Sequence, residues 1–314
     1  MKISVVLPCF NGAKTIAIQL EALTKQQWSE AWEVVVVNNG STDNSMAIVE
    51  QYRDRLPNLR IVEAHDPSGP RRGVAHSYNT GVKAATGDAV VFCESDDEVA
   101  PGWLTAMGEA LRQYDFVAGA LEYRKFNEAW QLGTGEHNQE KKLIQCTLPP
   151  YLPYASGCNI GMKRSVYNTV GEFDESMLGS WDTDFCWRAQ YLGIELHYIP
   201  NAIIHYRYRR QYRAMYRQGK RWGEAHILLR KKHEPDIYWG KLPVLRYLLA
   251  ICLYLPKGFL RIYNKTAFTE WLWGLGWEVG VFNGLVKHVI FPTRQISKQP
   301  VPEAVKPAVT LSSD

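Results

Sequence analysis

Short apolar runs alternate with helix-like segments through the first 121 residues of the chain. The runs that read as strands are Ile3–Leu7, Glu33–Val37, Leu59–Glu63, Ala89–Cys93 and Phe116–Leu121, and the helical spacings lie at 15–26, before Tyr52, at 76–85 and at 101–113. This alternation predicts an α/β fold with a doubly wound, mostly parallel sheet. In such sheets ligands bind at the carboxyl ends of the strands.

Composition places few further limits on the chain. Its 314 residues are 46% hydrophobic and 22% charged, with a net charge of +4, so charge alone does not indicate a nucleic-acid partner. The six cysteines form no C-x-x-C pair, which is typical of a reduced compartment. The N-terminal residues read as a first strand and not as a signal peptide, so we expect a cytoplasmic protein.

The pattern changes towards the C-terminus. We predict a catalytic domain at 1–230, with a nucleotide-sugar-binding half at 1–125 and an acceptor-side half at 126–230, then an amphipathic helical region at 231–291 and a disordered tail at 292–314. Ten basic residues crowd a predicted helix over 207–232, which is either a solvated face or a surface that binds anionic headgroups or a lipid diphosphate. The apolar stretches 242–255 and 271–291 that follow are interrupted by charges. Because a spanning helix needs ~20 mainly apolar residues, we expect peripheral contact of 207–291 with the inner face of the membrane.

An acidic turn, Glu94-Ser95-Asp96-Asp97, follows the fourth predicted strand directly. Neighbouring carboxylates repel one another unless a cation is present, and their oxygens suit Mg²⁺ or Mn²⁺. The competing interpretation is a solvated turn in which Asp96 caps the next helix. The turn alone leaves both open.

Two other polar segments carry candidate site residues. Asn38-Asn39-Gly40 ends the second strand, where a side-chain amide can pair with a pyrimidine base, although the same residues are a strong turn signal. Asp182 stands where a helix begins, so the helix dipole would keep its carboxylate ionised and able to act as a general base. The alternative interpretation is that Asp182 is simply the N-cap of that helix.

Taken in order along the chain, the polar segments resemble the family 2 glycosyltransferases, which have the GT-A fold. The segments that carry the resemblance are Val5–Asn11, Asn38–Asp43, Gly73–Gly81, Ser95–Asp97, Ser156–Arg164, Gly171–Glu175 and Asp182–Phe185. The resemblance covers residues 1–230. It implies a Rossmann-like nucleotide-binding half, followed here by a helical, basic and aromatic extension.

The resemblance also implies roles for individual residues. Those for the nucleotide-sugar donor are Pro8, Asn11, Asn38, Asn39, Asp43, Arg72, Asn79 and Asp96, with Asn38 and Asn39 at the base and Arg72 at the diphosphate. Those for the metal are Asp96, Asp97 and His205, and Asp182 is the catalytic base, with Trp181 and Asp184 on the acceptor side. Arg188 is expected to form an ion pair with Asp184.

The sequence departs from the family pattern at three places. Asn occupies both 38 and 39 where relatives commonly have an Asp, Glu94 replaces the usual Asp, and Trp181 replaces a Glu.

We expect a metal-dependent, inverting hexosyltransferase that uses a nucleotide-diphosphate sugar and a saccharide or lipid-linked acceptor in cell-surface polysaccharide or glycolipid synthesis. The alternative is a non-catalytic sugar-nucleotide-binding or scaffold protein at the membrane. A nucleotidyltransferase is disfavoured because no Gly-rich phosphate loop follows the first strand.

Overall fold

The computed structural model describes residues 1–133, 139–146, 149–234, 242–258 and 260–291. The strands are β1 Ile3–Cys9, β2 Trp32–Asn38, β3 Arg60–Glu63, β4 Ala89–Phe92, β5 Glu98–Val99, β6 Phe116–Glu122, β7 Ile160–Lys163 and β8 Leu196–His205. The helices are α1 Ile16–Thr24, α2 Ser45–Glu50, α3 Val74–Ala84, α4 Trp103–Gln113, α5 Ala129–Leu132, α6 Arg164–Val170, α7 Trp181–Tyr191, α8 Tyr212–His233, α9 Leu242–Tyr254 and α10 Lys265–Gly284.

The strands form one sheet in the order β3-β2-β1-β4-β7-β6-β8-β5. Strands β1 to β4 pair in parallel, as the alternation predicts, and β6 pairs in parallel with β8. However, β7 is antiparallel to both of its neighbours, and β5 is antiparallel to β8. In the described residues of the connection between β6 and β7, the longest helix is α5, with four residues, and β7 runs antiparallel to β6.

Both faces of the sheet are covered, which is why the strand sequences are continuous apolar runs. Alternate residues of β1 belong to two separate cores: Val5 and Leu7 pack with α1 and α4, whereas Val6 packs with α3 and α7. The carboxyl ends of β1, β2 and β4 therefore open between two helical layers.

Two long helices, α8 and α10, pack on each other through small residues. A Cβ added to Gly219 or Gly223 of α8 would lie 2.3 Å from a backbone oxygen of α10, and one added to Gly280 would lie 2.1 Å from the Lys220 oxygen. Glycine spacing of four residues on both helices lets the backbones approach this closely. The helix α8 continues through residue 230, the predicted domain boundary, to His233.

Within the described residues, no helix is long and apolar enough to span a bilayer. The expected tail at 292–314 lies outside the described residues, as do 134–138 and 147–148 of the connection before β7.

Candidate active site

The acidic turn after β4 gathers three carboxylates at one point. Oxygen atoms of Glu94, Asp96 and Asp97 all lie within 4.8 Å of one another. The side chain of Asp97 is 1% exposed, and its Oδ1 accepts a hydrogen bond of 2.8 Å from the backbone N–H of Arg207. Its other oxygen, Oδ2, is buried without a hydrogen-bond partner.

Electrostatics in this turn oppose ionisation. Burial raises the pKa of Glu94 to about 7, and the nearby Asp96 carboxylate adds to the effect. Burial, with Asp96 and Glu94 close by, also raises the pKa of Asp97 well above its usual value. Among the described residues, the cluster is thus short of positive charge.

The donor set suits a divalent cation. All three groups offer hard oxygen atoms, which Mg²⁺ and Mn²⁺ prefer, and the unpartnered Asp97 Oδ2 is a buried acceptor that has no other use. Glu94 has one methylene more than the Asp usual at this position, but its carboxylate still lies with those of Asp96 and Asp97. A plain solvated turn would leave Asp97 exposed, which it is not.

The predicted metal ligand His205 is not part of this group. Its Nδ1 atom lies 2.8 Å from the carboxylate of Glu122. The next residue, Tyr206, lies near Asp97 and Glu94 instead, and burial together with those carboxylates raises its pKa. Consecutive residues of an extended chain point to opposite faces, so Tyr206 and not His205 faces the acidic turn.

Asp182 lies in the first turn of α7 and faces the same turn. Its carboxylate accepts hydrogen bonds from the backbone N–H groups of Gly157, at 2.8 Å, and Thr183, at 2.9 Å. Its negative charge is close enough to contribute to the raised pKa of Glu94. The helix dipole favours ionisation, but burial dominates and raises the pKa of Asp182 above its usual value.

The two residues predicted on the acceptor side, Trp181 and Asp184, are buried and have partners inside the protein. Asp184 is fully buried and bound by Arg188, Lys232 and His233, so its role is structural; the expected pair with Arg188 is confirmed at 2.9 Å. Trp181 is 5% exposed and packs against Tyr78 and Phe173. Successive residues of an α-helix are about 100° apart around its axis, so Trp181 and Asp184 point in other directions than Asp182.

At the end of β2, the side chains of Asn38 and Asn39 differ in whether a hydrogen-bonding atom remains without a partner. The amide of Asn38 donates to both oxygens of Glu63, at 3.0 and 2.9 Å, and its Oδ1 accepts from the Ser41 N–H. Asn39 donates to the Arg72 backbone oxygen, but its Oδ1 is buried and unpartnered. The turn interpretation therefore holds for Asn38, and Asn39 keeps a free acceptor.

Residues of the donor loop brace this turn. Asn11 accepts a hydrogen bond from the Thr42 N–H at 2.8 Å, and Asp43 accepts from the Ala13 N–H at 3.0 Å. Pro8 is buried in β1 beside Val37 of β2. The structure thus brings Pro8, Asn11 and Asp43 together at one strand edge, where they hold the loops.

Two predicted donor residues have internal partners. Asn79 is 1% exposed, and its side chain bonds to Phe173, Glu175 and Tyr167, so it ties α3 to the segment before α7 and is not open to a nucleotide. Arg72 is exposed and forms an ion pair with Glu175. The adjacent Arg71 stacks on the exposed ring of Phe10, 3.7 Å from the ring centroid.

Sequence reasoning missed the loop between β8 and α8. Arg207 and Arg209 were assigned to a basic, membrane-facing helix, but α8 begins only at Tyr212. Arg207 donates from Nε to the Asp96 backbone oxygen at 2.8 Å, and Arg209 forms a 2.6 Å ion pair with the Asp96 carboxylate. No local pattern separates these two arginines from the basic run that follows.

Curated relatives match part of the chain. The chain is 34% identical over 134 residues to the uncharacterized glycosyltransferase YibD of Escherichia coli, which covers 41% of this chain and 37% of YibD. It is 40% identical over 100 residues to the poly(ribitol-phosphate) β-N-acetylglucosaminyltransferase TarS of Staphylococcus aureus, covering 32% of this chain and 17% of TarS. These matches span well under two thirds of either relative.

Solved structures share the fold over a larger part of the chain. Residues 1–349 of S. aureus TarS in complex with UDP superpose with a TM-score of 0.54 at 23% identity, covering 73% of this chain and 64% of that one. The mannosyltransferase PcManGT of Pyrobaculum calidifontis, in complex with GDP-Man and Mn²⁺, gives a TM-score of 0.58 at 19% identity, covering 86% and 84%. The protein therefore has the GT-A fold.

The family model "Glycosyl transferase family 2" matches residues 4–171, more than half of the chain. This range begins in β1, contains the turn at Asn38-Asn39 and the acidic turn, and ends before α7. The chain belongs to glycosyl transferase family 2.

Proposed function

We propose that the protein is an inverting glycosyltransferase that moves a sugar from a nucleotide diphosphate to an acceptor hydroxyl. Membership of the family supports sugar transfer. The observation that carries the mechanism is that Asp182, at the start of α7, lies beside the three carboxylates at the end of β4. Base and acidic turn thus meet at the sheet edge where such folds bind ligands.

In this mechanism Asp182 is the general base. Two backbone N–H groups hold its carboxylate in place, and the pKa raised by burial makes it a stronger base than an exposed aspartate. It accepts the proton of the acceptor hydroxyl as that oxygen attacks the anomeric carbon from the side opposite the diphosphate. A single displacement inverts the configuration and requires no protein nucleophile.

Asp96, Asp97 and Glu94 would hold a divalent cation, Mn²⁺ or Mg²⁺. Such an ion, when bound, would offset the negative charge that develops on the leaving diphosphate. The mannosyltransferase complex with GDP-Man and Mn²⁺ supports this assignment, as does the unpartnered oxygen of Asp97.

The donor is a nucleotide-diphosphate sugar, and we propose a hexose. TarS structures with UDP and UDP-GlcNAc, and the mannosyltransferase structure with GDP-Man, support a donor of this class. The free Oδ1 of Asn39 can accept a hydrogen bond from a base N–H at the end of β2. The name of TarS supports an acceptor in a cell-surface polysaccharide.

We further propose that the exposed apolar side chains of α9 and of residues 260–263 rest on an anionic lipid surface at the inner face of the cell membrane, where a lipid-linked acceptor would be reached. Leu249, Leu253, Leu260 and Tyr263 are 55, 70, 86 and 97% exposed. Lys257 and Arg261 lie in the same segment, so apolar and cationic groups are presented together.

The test is co-sedimentation of the protein with phosphatidylglycerol vesicles. We expect the wild-type protein to sediment with them, and the double variant Leu253→Glu with Leu260→Glu to remain in the supernatant. Equal binding of the wild type to neutral vesicles would contradict the charge argument.

The first experiment measures thermal stability against UDP-, dTDP- and GDP-sugars with and without Mn²⁺. A ligand at a hundredfold excess over its dissociation constant raises the stability of the folded state by ~2.7 kcal/mol. We expect a shift with one nucleotide that needs Mn²⁺, that EDTA abolishes, and that Asp97→Asn abolishes as well.

A non-catalytic sugar-nucleotide-binding or scaffold protein is the second candidate. It is favoured by the internal commitment of Asn38 and Arg72, which leaves fewer groups free for the donor. This candidate predicts the Mn²⁺-dependent shift without turnover. Release of nucleoside diphosphate in the presence of saccharide or lipid-linked acceptors would exclude it.

A further inference from the structure

The loop Tyr206–Gln211 lies against the acidic turn and contacts it at three points. The Arg207 N–H donates to Asp97 Oδ1, and Arg207 Nε donates to the Asp96 backbone oxygen, both at 2.8 Å. The Arg209 guanidinium forms a 2.6 Å ion pair with Asp96 Oδ2. The first two contacts use backbone atoms and fix the loop, whereas the third is a contact between two side chains.

Arg209 is the cation that meets the cluster in the described part of the chain. The guanidinium of Arg207 stacks on Phe126 instead, 3.8 Å from the ring centroid. The Arg209 side chain is 48% exposed, whereas Asp97 beside it is 1% exposed. Arg209 therefore reaches the cluster from the solvent side, and its ion pair can open without unfolding the loop.

Arg209 holds one oxygen of Asp96, a residue whose carboxylate belongs to the group that would bind a divalent cation. A cation bound at Asp96 would repel the guanidinium at contact distance, since both are positive. Binding of the cation therefore weakens the ion pair and favours release of Arg209. The released guanidinium stays attached to a loop whose backbone remains fixed to Asp97.

Further positive charge lies close to Arg209. Desolvation by neighbouring segments, together with the positive charges of Arg209 and Arg71, lowers the pKa of Arg221 on α8. Arginines gathered in this way complement an anion with several oxygens, and their planar guanidinium groups bind phosphates in two-point contacts.

We propose that Arg209 is a placeholder cation: it neutralises Asp96 while the metal site is empty, yields that carboxylate to the divalent cation, and then binds the diphosphate. The proposal rests on the proposed function only for the identity of the diphosphate as that of a sugar donor. Metal binding and diphosphate binding would thereby be coupled through one side chain.

The test titrates Mn²⁺ alone, and then inorganic pyrophosphate at saturating Mn²⁺, into wild type, Arg209→Gln and Arg209→Lys. Without the competing guanidinium, Arg209→Gln should bind Mn²⁺ three- to fivefold more tightly, about the value of a part-exposed ion pair. The same variant should bind pyrophosphate about tenfold more weakly, because a charged donor is lost. Arg209→Lys should stay near wild type for Mn²⁺.

The matched control is Arg210→Gln, which removes an equal charge from the next position, where the side chain donates to the Phe126 backbone oxygen. It should change neither affinity by more than twofold. The proposal is overturned if Arg209→Gln weakens or leaves unchanged the Mn²⁺ affinity, if pyrophosphate affinity is unaffected, or if wild type binds no Mn²⁺. The two titrations contain no sugar, so they test only the coupling between metal and pyrophosphate binding. A failure to detect glycosyl transfer in a separate assay would contradict the proposed function and leave this coupling unaffected.

Discussion

Asp184 and the acidic turn Glu94–Asp97 are both buried acidic regions, but their surroundings differ. Asp184 is enclosed by Arg188, Lys232 and His233. Burial alone would raise its pKa, yet the His233 hydrogen bond and the charges of Arg188 and Lys232 hold the pKa well below its usual value. In the acidic turn three carboxylates meet one arginine side chain in the described residues, and the pKa values of Glu94 and Asp97 are raised.

This difference separates a structural carboxylate from a ligand site. Around Asp184 every charge is matched inside the protein, so nothing is left for a ligand. In the acidic turn the negative charge exceeds the positive charge, so the folded protein leaves a net negative charge there. A bound cation would neutralise that charge. Asp182 is only two residues from Asp184, but the helix directs it towards the second region.

The largest expected effect is on turnover and comes from Asp182→Asn. The amide is nearly isosteric but cannot accept the acceptor proton, and general-base catalysis contributes ~10²–10⁴-fold. Initial rates of nucleoside diphosphate release should fall by that factor, while donor binding with Mn²⁺ stays within about twofold of wild type. Wild-type turnover in this variant would reject Asp182 as the base.

Asp184→Asn should act on stability and spare the site. Removal of the Asp184 charge leaves Arg188 without its carboxylate and Lys232 with Asp174 as its remaining partner, at a cost of about 3–5 kcal/mol in the free energy of unfolding. Urea denaturation measures this value, and Asp174→Asn, which removes a more exposed partner of Lys232, is the matched control with a smaller loss. If Asp184→Asn instead abolished Mn²⁺ binding in a folded sample, the two regions would not be separate.

Gly280→Ala tests how firmly the C-terminal helices are held. The new Cβ would meet the Lys220 backbone oxygen, and overpacking of this kind costs about 1–3 kcal/mol. The midpoint of thermal unfolding should fall. Gly69→Ala is the control, since its Cβ would come no closer than 3.9 Å to the Asp66 oxygen. Equal midpoints for the two variants would mean that α8 and α10 do not pack this closely.

The smallest effect is the pH dependence of the Asp184 cluster. A carboxyl whose folded pKa is depressed stabilises the fold above its unfolded pKa of ~3.9, and this stabilisation is lost as the pH falls through the folded value. The stability gap between wild type and Asp184→Asn should thus be constant from pH 7 to about 5 and narrow below about pH 4. Urea midpoints at each pH measure it, and a gap that narrows already between pH 7 and 5 would contradict a depressed pKa.

Sequence alone was sufficient for strands β1 to β4 and β6, for the GT-A fold and for the position of the acidic turn. Apolar runs such as Ile3–Leu7 are local signals, and the order of the polar segments identified the family before any contact was known. The ion pair between Asp184 and Arg188 was also predictable, because residues four apart on a helix face each other.

Tertiary structure decided which of the polar residues are available to a ligand. Asn79, Trp181 and Asp184 lie within family motifs but are buried against other segments, and His205 turns to Glu122. Conversely, Arg209 looked like one member of a basic run until the loop placed it on Asp96, 113 residues earlier in the chain. Periodicity and motif order depend on neighbours along the chain, whereas burial and charge balance depend on segments far apart, which only the folded chain brings together.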